Sequence, residues 1–319
     1  MPSRRRGGLR LPSGSPPWLS FGGLLAFLLL LQIGTGALLL FHFAPDAELA
    51  FESVRRIMRE VPYGWLIRLL HAHGANLLVI VLFVHLGVVA WRGAYQGARG
   101  ANWLLGCVLL VLVMAAALTG YILPWSQLSY WGTTVVTASL EYLPVGGHEL
   151  TTFVRGSERV GPATFRRAFA AHVSLIPLAI LGLLALHVAW VRRAGIAGAA
   201  RRGPGTAEPE TMVPFFPEFA IRAGLVLIAG LAALVALVVF APGAFFPAES
   251  FSPADPFETP SHVKPEWYFL WRYQLGRLVP ESVALVIQAL ALAALAALPF
   301  LDRGRRRHAF DRPLVIGAL

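Results

Sequence analysis

The chain has 319 residues, of which 56% are hydrophobic and 14% are charged, and its formal net charge is +10. Apolar runs of about 20 residues in such a composition are typical of an integral membrane protein and exclude a disordered chain. The arginines are spread over several loop ends instead of one face, which argues against nucleic-acid binding.

The hydropathy pattern predicts an all-α integral membrane protein with about six spans. They cover residues of about 18–43, 64–91, 101–124, 169–191, 220–241 and 282–301. The first is not read as a secretory signal, because its apolar core is too long and no small-residue cleavage site follows. Residues 46–60 place apolar side chains at helical spacing among charges, which predicts a short helix on the membrane surface.

The composition between the spans predicts the domain organisation. Residues 198–217 read as a linker that separates a four-span N-terminal domain, 1–197, from a two-span C-terminal domain, 218–319. The long connections 125–168 and 242–281 fall on the same side and are expected to cap the bundle there.

The distribution of charge predicts the orientation. The side that holds both termini has 16 basic and 5 acidic residues, against 11 and 12 on the other side. Both termini are therefore expected on the cytoplasmic side.

Four histidines form two spaced pairs, His71 with His85 in the second span and His172 with His187 in the fourth. On an α-helix a 14-residue step rises about 21 Å and returns nearly to the same face, whereas a 15-residue step misses by about 60°. Two such helices side by side would offer imidazoles at two depths. This pattern favours two non-covalent b-type haems, an outer one on His71 and His172 and an inner one on His85 and His187.

Other residues fit this hypothesis. The lone Cys107 and the absence of a CxxCH motif mean that any haem is held by coordination. Glycines repeat the 14-residue interval in the first and third spans, where they would leave room for haem or simply pack helices. These haem-packing candidates are Gly22, Gly36, Gly106 and Gly120. Arg68 and Arg167 are candidate partners of the haem propionates, with interfacial snorkelling as the alternative.

Three runs carry a family resemblance: GWLIRLLHAHGAN at 64–76, GYILPWSQLSYWGTTVVT at 120–137 and PEWYFL at 265–270. They resemble the cytochrome b subunit of quinol-oxidising cytochrome bc and b6f complexes.

Finer details resemble the plastid form, namely the 15-residue histidine interval, RRAGIAG at 192–198 and ADPFETP at 254–260. That form is split into a four-helix cytochrome and a three-helix partner, which here are joined in one chain. Ser20 stands where the plastid form has the cysteine that holds a covalent c-type haem, so no such haem is expected. The family normally continues beyond the sixth span into at least one more helix, which here is expected to be missing, to lie on another polypeptide or to lie outside the given sequence.

The resemblance implies a subunit that oxidises quinol at an outer site. One electron would pass to a Rieske iron–sulfur protein and the other through both haems to an inner quinone site, coupled to proton translocation. Glu266 and Tyr268 would be catalytic, with Glu266 accepting a quinol proton, and Arg192 would lie near the inner quinone. The implied quinol-binding residues are Gly132, Thr133, Pro265 and Trp267.

The implied partners are the Rieske protein, a c-type cytochrome subunit, membrane lipid with its quinone pool, and a second copy in a homodimeric complex of a bacterial plasma membrane. Three alternatives stay open: a di-haem anchor of a dehydrogenase or hydrogenase, a haem-free transporter whose histidines carry protons, and a haem-binding homologue without these partners. The PEWY tetrapeptide argues against the anchor.

Overall fold

The computed structural model describes residues 10–12, 17–195, 212–261, 263–302 and 312. These residues are nearly all helical. The α-helices are α1 (Phe21–Leu40), α2 (Ala50–Arg59), α3 (Gly64–Trp91), α4 (Gly100–Ile122), α5 (Gln127–Ala138), α6 (Gly147–Arg155), α7 (Pro162–Ala170), α8 (Ile176–Ala194), α9 (Ala220–Phe240), α10 (Leu270–Leu278) and α11 (Glu281–Leu301). A short antiparallel sheet pairs β1 (Arg10–Pro12) with β2 (Met212–Pro214).

Six described segments are long and apolar enough to cross a bilayer, which confirms the predicted architecture. They are Phe21–Leu40, Gly64–Trp91, Gly97–Ile122, Pro162–Ala194, Phe215–Phe240 and Glu281–Leu301. The fourth begins earlier than predicted because Pro162 occupies its first turn, where a missing N–H costs nothing. The predicted surface helix is α2. Most of the predicted linker, residues 198–211, lies outside the described residues.

The first four spans form a bundle, and the helices of the C-terminal half pack against it. Helix α1 packs along α3, α4 packs along α8, and α3 also touches α4. Helix α9 lies against α1 and α3, and α11 lies against α4. Leu28, Leu69 and Leu234 are buried in the core that joins α1, α3 and α9. The C-terminal helices therefore cover the bundle from outside and leave its interior to the first four spans.

One end of the bundle is closed by a buried polar cluster around Arg312. Its guanidinium donates to the Tyr95 hydroxyl at 2.8 Å and the Asp302 carboxylate at 3.0 Å. It also donates to the carbonyls of Ala90 and Trp91 at 3.1 and 2.6 Å, at the C-terminal end of α3. Burial and the Asp302 carboxylate raise the pKa of Tyr95, so its phenol remains a donor to Asp302 at 2.6 Å. This cluster ties the end of α11 to the α3–α4 connection.

The other end is covered by two long connections that bind each other. The first contains α5 and α6. The second, residues 241–280, is called the outer loop here after its expected side of the membrane. The backbone N–H of Gln127 donates to the Ser252 carbonyl at 2.9 Å, and the N–H of Ala254 donates to the Trp125 carbonyl at 3.2 Å. The two connections together form the cap that the sequence predicts.

Candidate functional site

The predicted outer histidines face each other inside the bundle. The ring centroids of His71 and His172 lie 6.1 Å apart, with ring planes at 82°. Nδ1 of His71 is 2.9 Å from the Thr35 hydroxyl, which donates its own proton to the Leu31 carbonyl and so accepts from the ring. Nδ1 of His172 donates to the Ala116 carbonyl at 2.9 Å. Such bonds fix a ring and leave Nε2 as the nitrogen for a metal.

The spacing of these rings suits a metal between them. An imidazole nitrogen lies about 2 Å from a bound metal and about 1.1 Å from its own ring centre, so rings on opposite faces have centres roughly 6.2 Å apart. The observed separation is 6.1 Å. Two imidazoles at this spacing would fit a haem iron, for which a porphyrin would supply the other four nitrogens.

The predicted inner histidines lie in the second halves of the two ligand-bearing spans, His85 in α3 and His187 in α8. Nδ1 of His187 is buried without a hydrogen bond of good geometry, although the Asn102 carbonyl lies near the ring. This pair has fewer fixed contacts than the outer pair.

Each predicted glycine lies against one predicted histidine. A methyl group added to the glycine would approach Cε1 of the facing ring, at a distance that differs from pair to pair. These distances are 3.1 Å for Gly36 and His71, 3.5 Å for Gly22 and His85, 2.5 Å for Gly120 and His172, and 3.6 Å for Gly106 and His187. Helices α1 and α4 thus bring bare backbone against the candidate ligands, α1 against the histidines of α3 and α4 against His172 and His187.

The unequal histidine intervals have a structural explanation. His172 lies in a π-helical turn, Ala171–Leu175, between α7 and α8. A π-turn closes its hydrogen bond over one residue more than an α-turn, so it absorbs one extra residue. The 15-residue interval that ends at His187 therefore spans about the same turns as the 14-residue interval in α3. The 60° mismatch expected for an ideal helix is corrected locally.

The outer pair opens into a cavity of about 390 Å³. His71 and His172 line it together with Glu266, Tyr268, Tyr121 and Arg68. The PEWY segment thus reaches the same space as the candidate haem ligands.

Burial changes the chemistry of the two PEWY side chains that line the cavity. It raises the pKa of the half-buried Glu266 carboxyl to about 7. Burial first, and the nearby Glu266 charge second, raise the pKa of Tyr268. At neutral pH the carboxyl can take up or release a proton, whereas the phenol remains protonated.

Two predicted quinol-binding residues, Gly132 and Thr133, lie in α5 and do not line this cavity. A methyl group at Gly132 would lie 2.6 Å from the Tyr121 hydroxyl, which donates to the Leu128 carbonyl at 2.8 Å. The clearance beside Gly132 is thus filled by Tyr121, whose ring lines the cavity in its place. Thr133 is 1% exposed and donates to the Ser129 carbonyl at 2.7 Å, inside α5. Neither residue is among those that line the cavity.

The other PEWY residues flank the cavity. Pro265 is half-buried before Glu266. The Trp267 indole N–H donates to Oδ1 of Asn76 at 2.6 Å, which attaches this segment to α3.

The three predicted arginines lie in different places. The Arg68 guanidinium lines the cavity and stands 5.1 Å above the Phe246 ring. Arg167 stands 5.4 Å above the Phe153 ring and is not among the lining residues. Arg192 is exposed near the end of α8.

Sequence reasoning missed Tyr121 and Asn76. Both lie within the runs that carry the family resemblance, and both are polar residues in apolar spans. Such residues usually mark a functional or tightly paired position, which was the available signal.

Comparisons with known proteins agree with this geometry. Residues 8–195 match the family model described as cytochrome b/b6/petB, and residues 253–319 match the one described as cytochrome b(C-terminal)/b6/petD. Among solved structures, the chain is similar to one described as a hyperthermophilic respiratory Complex III, with 34% sequence identity and a TM-score of 0.86. The alignment covers 96% of this chain and 80% of that chain. The protein therefore belongs to the cytochrome b/b6 family, with the petD-like part in the same polypeptide.

Proposed function

We propose that this chain is the di-haem cytochrome b subunit of a cytochrome bc-type complex and that it oxidises quinol in the outer cavity. One observation carries the proposal: the paired imidazoles and the Glu266 carboxyl line the same space. A quinol held there would lie beside both a proton acceptor and a redox centre. The haem-free transporter does not fit a member of a haem-binding family.

The four histidines are the proposed haem ligands, His71 with His172 for the outer haem and His85 with His187 for the inner one. Bound haems would supply a path for single electrons through the bilayer. The chain's own part would be to supply two imidazoles to each haem, a ligation that would leave the iron no position for small ligands and would favour electron transfer over oxygen chemistry.

Glu266 is the proposed proton acceptor. A general base works best when its pKa lies near the working pH, and burial raises the pKa of Glu266 to about 7. Tyr268 is buried beside it and keeps its proton, so it can donate a hydrogen bond to a quinol oxygen. An interfacial anchor of the aromatic belt would have no need of a half-buried carboxyl with a raised pKa.

The electron balance requires two acceptors. Quinol oxidation releases two electrons and two protons, and each acceptor proposed here takes one electron. We assign one electron to a Rieske iron–sulfur protein, which passes it to a c-type cytochrome subunit, and the other to the haem path and an inner quinone near Arg192. Proton release on the outer side and uptake on the inner side would make the cycle translocate charge.

The proposed setting is a homodimeric complex in a bacterial plasma membrane, with both termini on the cytoplasmic side. The similarity to a respiratory Complex III structure supports an assembly with other subunits. The charge difference between the two sides supports the orientation.

Quinol oxidation by the purified complex tests the proposal. Glu266→Gln should reduce the rate of outer-site oxidation at least tenfold at neutral pH and leave the haem content unchanged. Glu258→Gln is the matched control, because Glu258 lies exposed on the same outer loop. Oxidation by Glu266→Gln at the wild-type rate, or an equal loss in the control, would contradict the role of Glu266.

A further inference from the structure

The outer loop is fastened to the rest of the protein at separate places. Its middle is bound to α5 and the turn before it, where the Gln127 amide donates to the Glu258 carbonyl at 2.6 Å and the Trp131 indole donates to the Asp255 carbonyl at 3.1 Å. The segments before and after this middle part, called the first and second arms here, are both bound to α3. Nε2 of His73 lies 3.2 Å from the Pro242 carbonyl in the first arm.

The second arm is fastened by the bond between Trp267 and Asn76. Asn76 is only 9% exposed, and its Nδ2 donates to the Ala72 carbonyl one helical turn earlier at 3.1 Å. This leaves Oδ1 to face the indole, which can only donate. The amide orientation is therefore determined on both sides.

This anchor is the one that adjoins the proposed base, since Trp267 follows Glu266 directly. The Asp255 anchor lies 11 residues before Glu266, and the Pro242 anchor lies still further away. The Phe269 N–H donates to the Glu266 carbonyl at 2.8 Å, so the backbone turns immediately after the anchored residue. A fixed Trp267 thus sets where the Glu266 side chain begins.

We propose that Asn76 is a positioning residue of the outer site, which holds Glu266 at the cavity wall through the indole of Trp267. This inference rests on the proposed function of Glu266 as the proton acceptor. Asn76 itself would exchange no proton or electron. Through its bond to Trp267, the position of the Glu266 carboxyl depends on the position of α3, the helix that carries His71.

The pKa of the Glu266 carboxyl depends on where the carboxyl lies and can therefore be used to follow its position. Its pKa is raised to about 7 by burial, so a carboxyl released from the cavity wall toward water should return toward its ordinary value. Other charged or titratable side chains line the same cavity. They are Arg68 and His71 on α3, Tyr121 on α4, His172 in the π-turn and Tyr268 on the outer loop. The proposed substitutions leave all of them in place.

Infrared titration of the assembled complex without quinol tests the inference, with the Glu266 carboxyl band assigned by its loss in Glu266→Gln. The wild-type band should titrate near pH 7. Trp267→Phe keeps an aromatic ring and removes the N–H, and Asn76→Leu removes the acceptor at similar size. Each should lower the midpoint by about 1 pH unit or more. The double variant should lower it no further than either single one, because both break the same bond.

Trp131→Phe is the matched control. It also removes one indole hydrogen bond to the outer loop, but far from Glu266 in sequence. An unshifted midpoint in this control, with shifts in the other variants, would support the inference. An unshifted Trp267→Phe midpoint, or an equal shift in the control, would overturn it, and Trp267→Phe decides alone if Asn76→Leu does not assemble. Because quinol is absent, a failure of quinol oxidation would not affect this result.

Discussion

Substitution of Gly120 by alanine should remove the outer haem while sparing the inner one. The added methyl carbon would lie 2.5 Å from Cε1 and 3.0 Å from both ring nitrogens of His172. Ordinary contact begins at 3.4 Å, so the ring must retreat by about 0.9 Å. Ligand distances in metal sites tolerate only about 0.2 Å. The displaced ring would therefore lose its metal or force α4 away from α8.

The four glycines form a graded series for this test. The methyl group at Gly36 would meet His71 at 3.1 Å, a tight contact, whereas those at Gly22 and Gly106 would meet their rings at 3.5 and 3.6 Å, which is ordinary contact. Haem content per chain and a redox titration of the b-type absorbance would measure the losses. Gly120→Ala should hold one haem fewer, and Gly106→Ala should keep both. Two haems of unchanged potential in Gly120→Ala would refute the reasoning.

Three further predictions concern the outer site and the opposite end of the bundle. The rate of quinol oxidation should fall by about tenfold per pH unit well below pH 7, because Glu266 is then protonated and cannot act as a base. Above pH 7 the rate should level off. Stopped-flow rates that do not change with pH would contradict this. Gly132→Ala should displace the Tyr121 hydroxyl, which lies 2.6 Å from the new methyl, and weaken quinol binding; an unchanged KM would argue against it. Arg312→Met should destabilise the protein by roughly 3–5 kcal/mol, because it leaves the buried Asp302 carboxylate without the counter-charge of Arg312. A thermal unfolding midpoint equal to that of the wild type would exclude this effect.

The spans, the histidine pairs and the facing glycines could be predicted from the sequence because each depends on helical periodicity alone. A helix rotates and rises by fixed amounts per residue, so equal intervals on neighbouring helices place residues at equal depths. The contacts of Gly22 with His85 and of Gly106 with His187 result from these equal intervals. PEWY was identifiable as a site because its residues repeat a family pattern.

The remaining features depend on local irregularity and on contacts between distant segments. The π-helical turn around His172 corrects the mismatch of about 60° that a 15-residue interval would have in an ideal helix. No residue type in the sequence predicts such a turn. The space beside Gly132 belongs to Tyr121, because α4 packs against α5 at that point. Arg167 lies five residues before His172, within the one or two helical turns that the sequence predicts, but its guanidinium stands 5.4 Å above the Phe153 ring. The spacing of residues predicts the depth of a side chain in the membrane, but it does not predict which neighbouring side chain it contacts.

A redox titration of the purified complex, followed at the b-type absorbance, tests most directly whether opposed imidazoles hold two haems, one of them in the cavity that Glu266 also lines. Two one-electron steps of equal amplitude are expected, with His172→Leu losing one step and His187→Leu losing the other. A single step in the wild type, or the loss of the same step in both variants, would contradict the account.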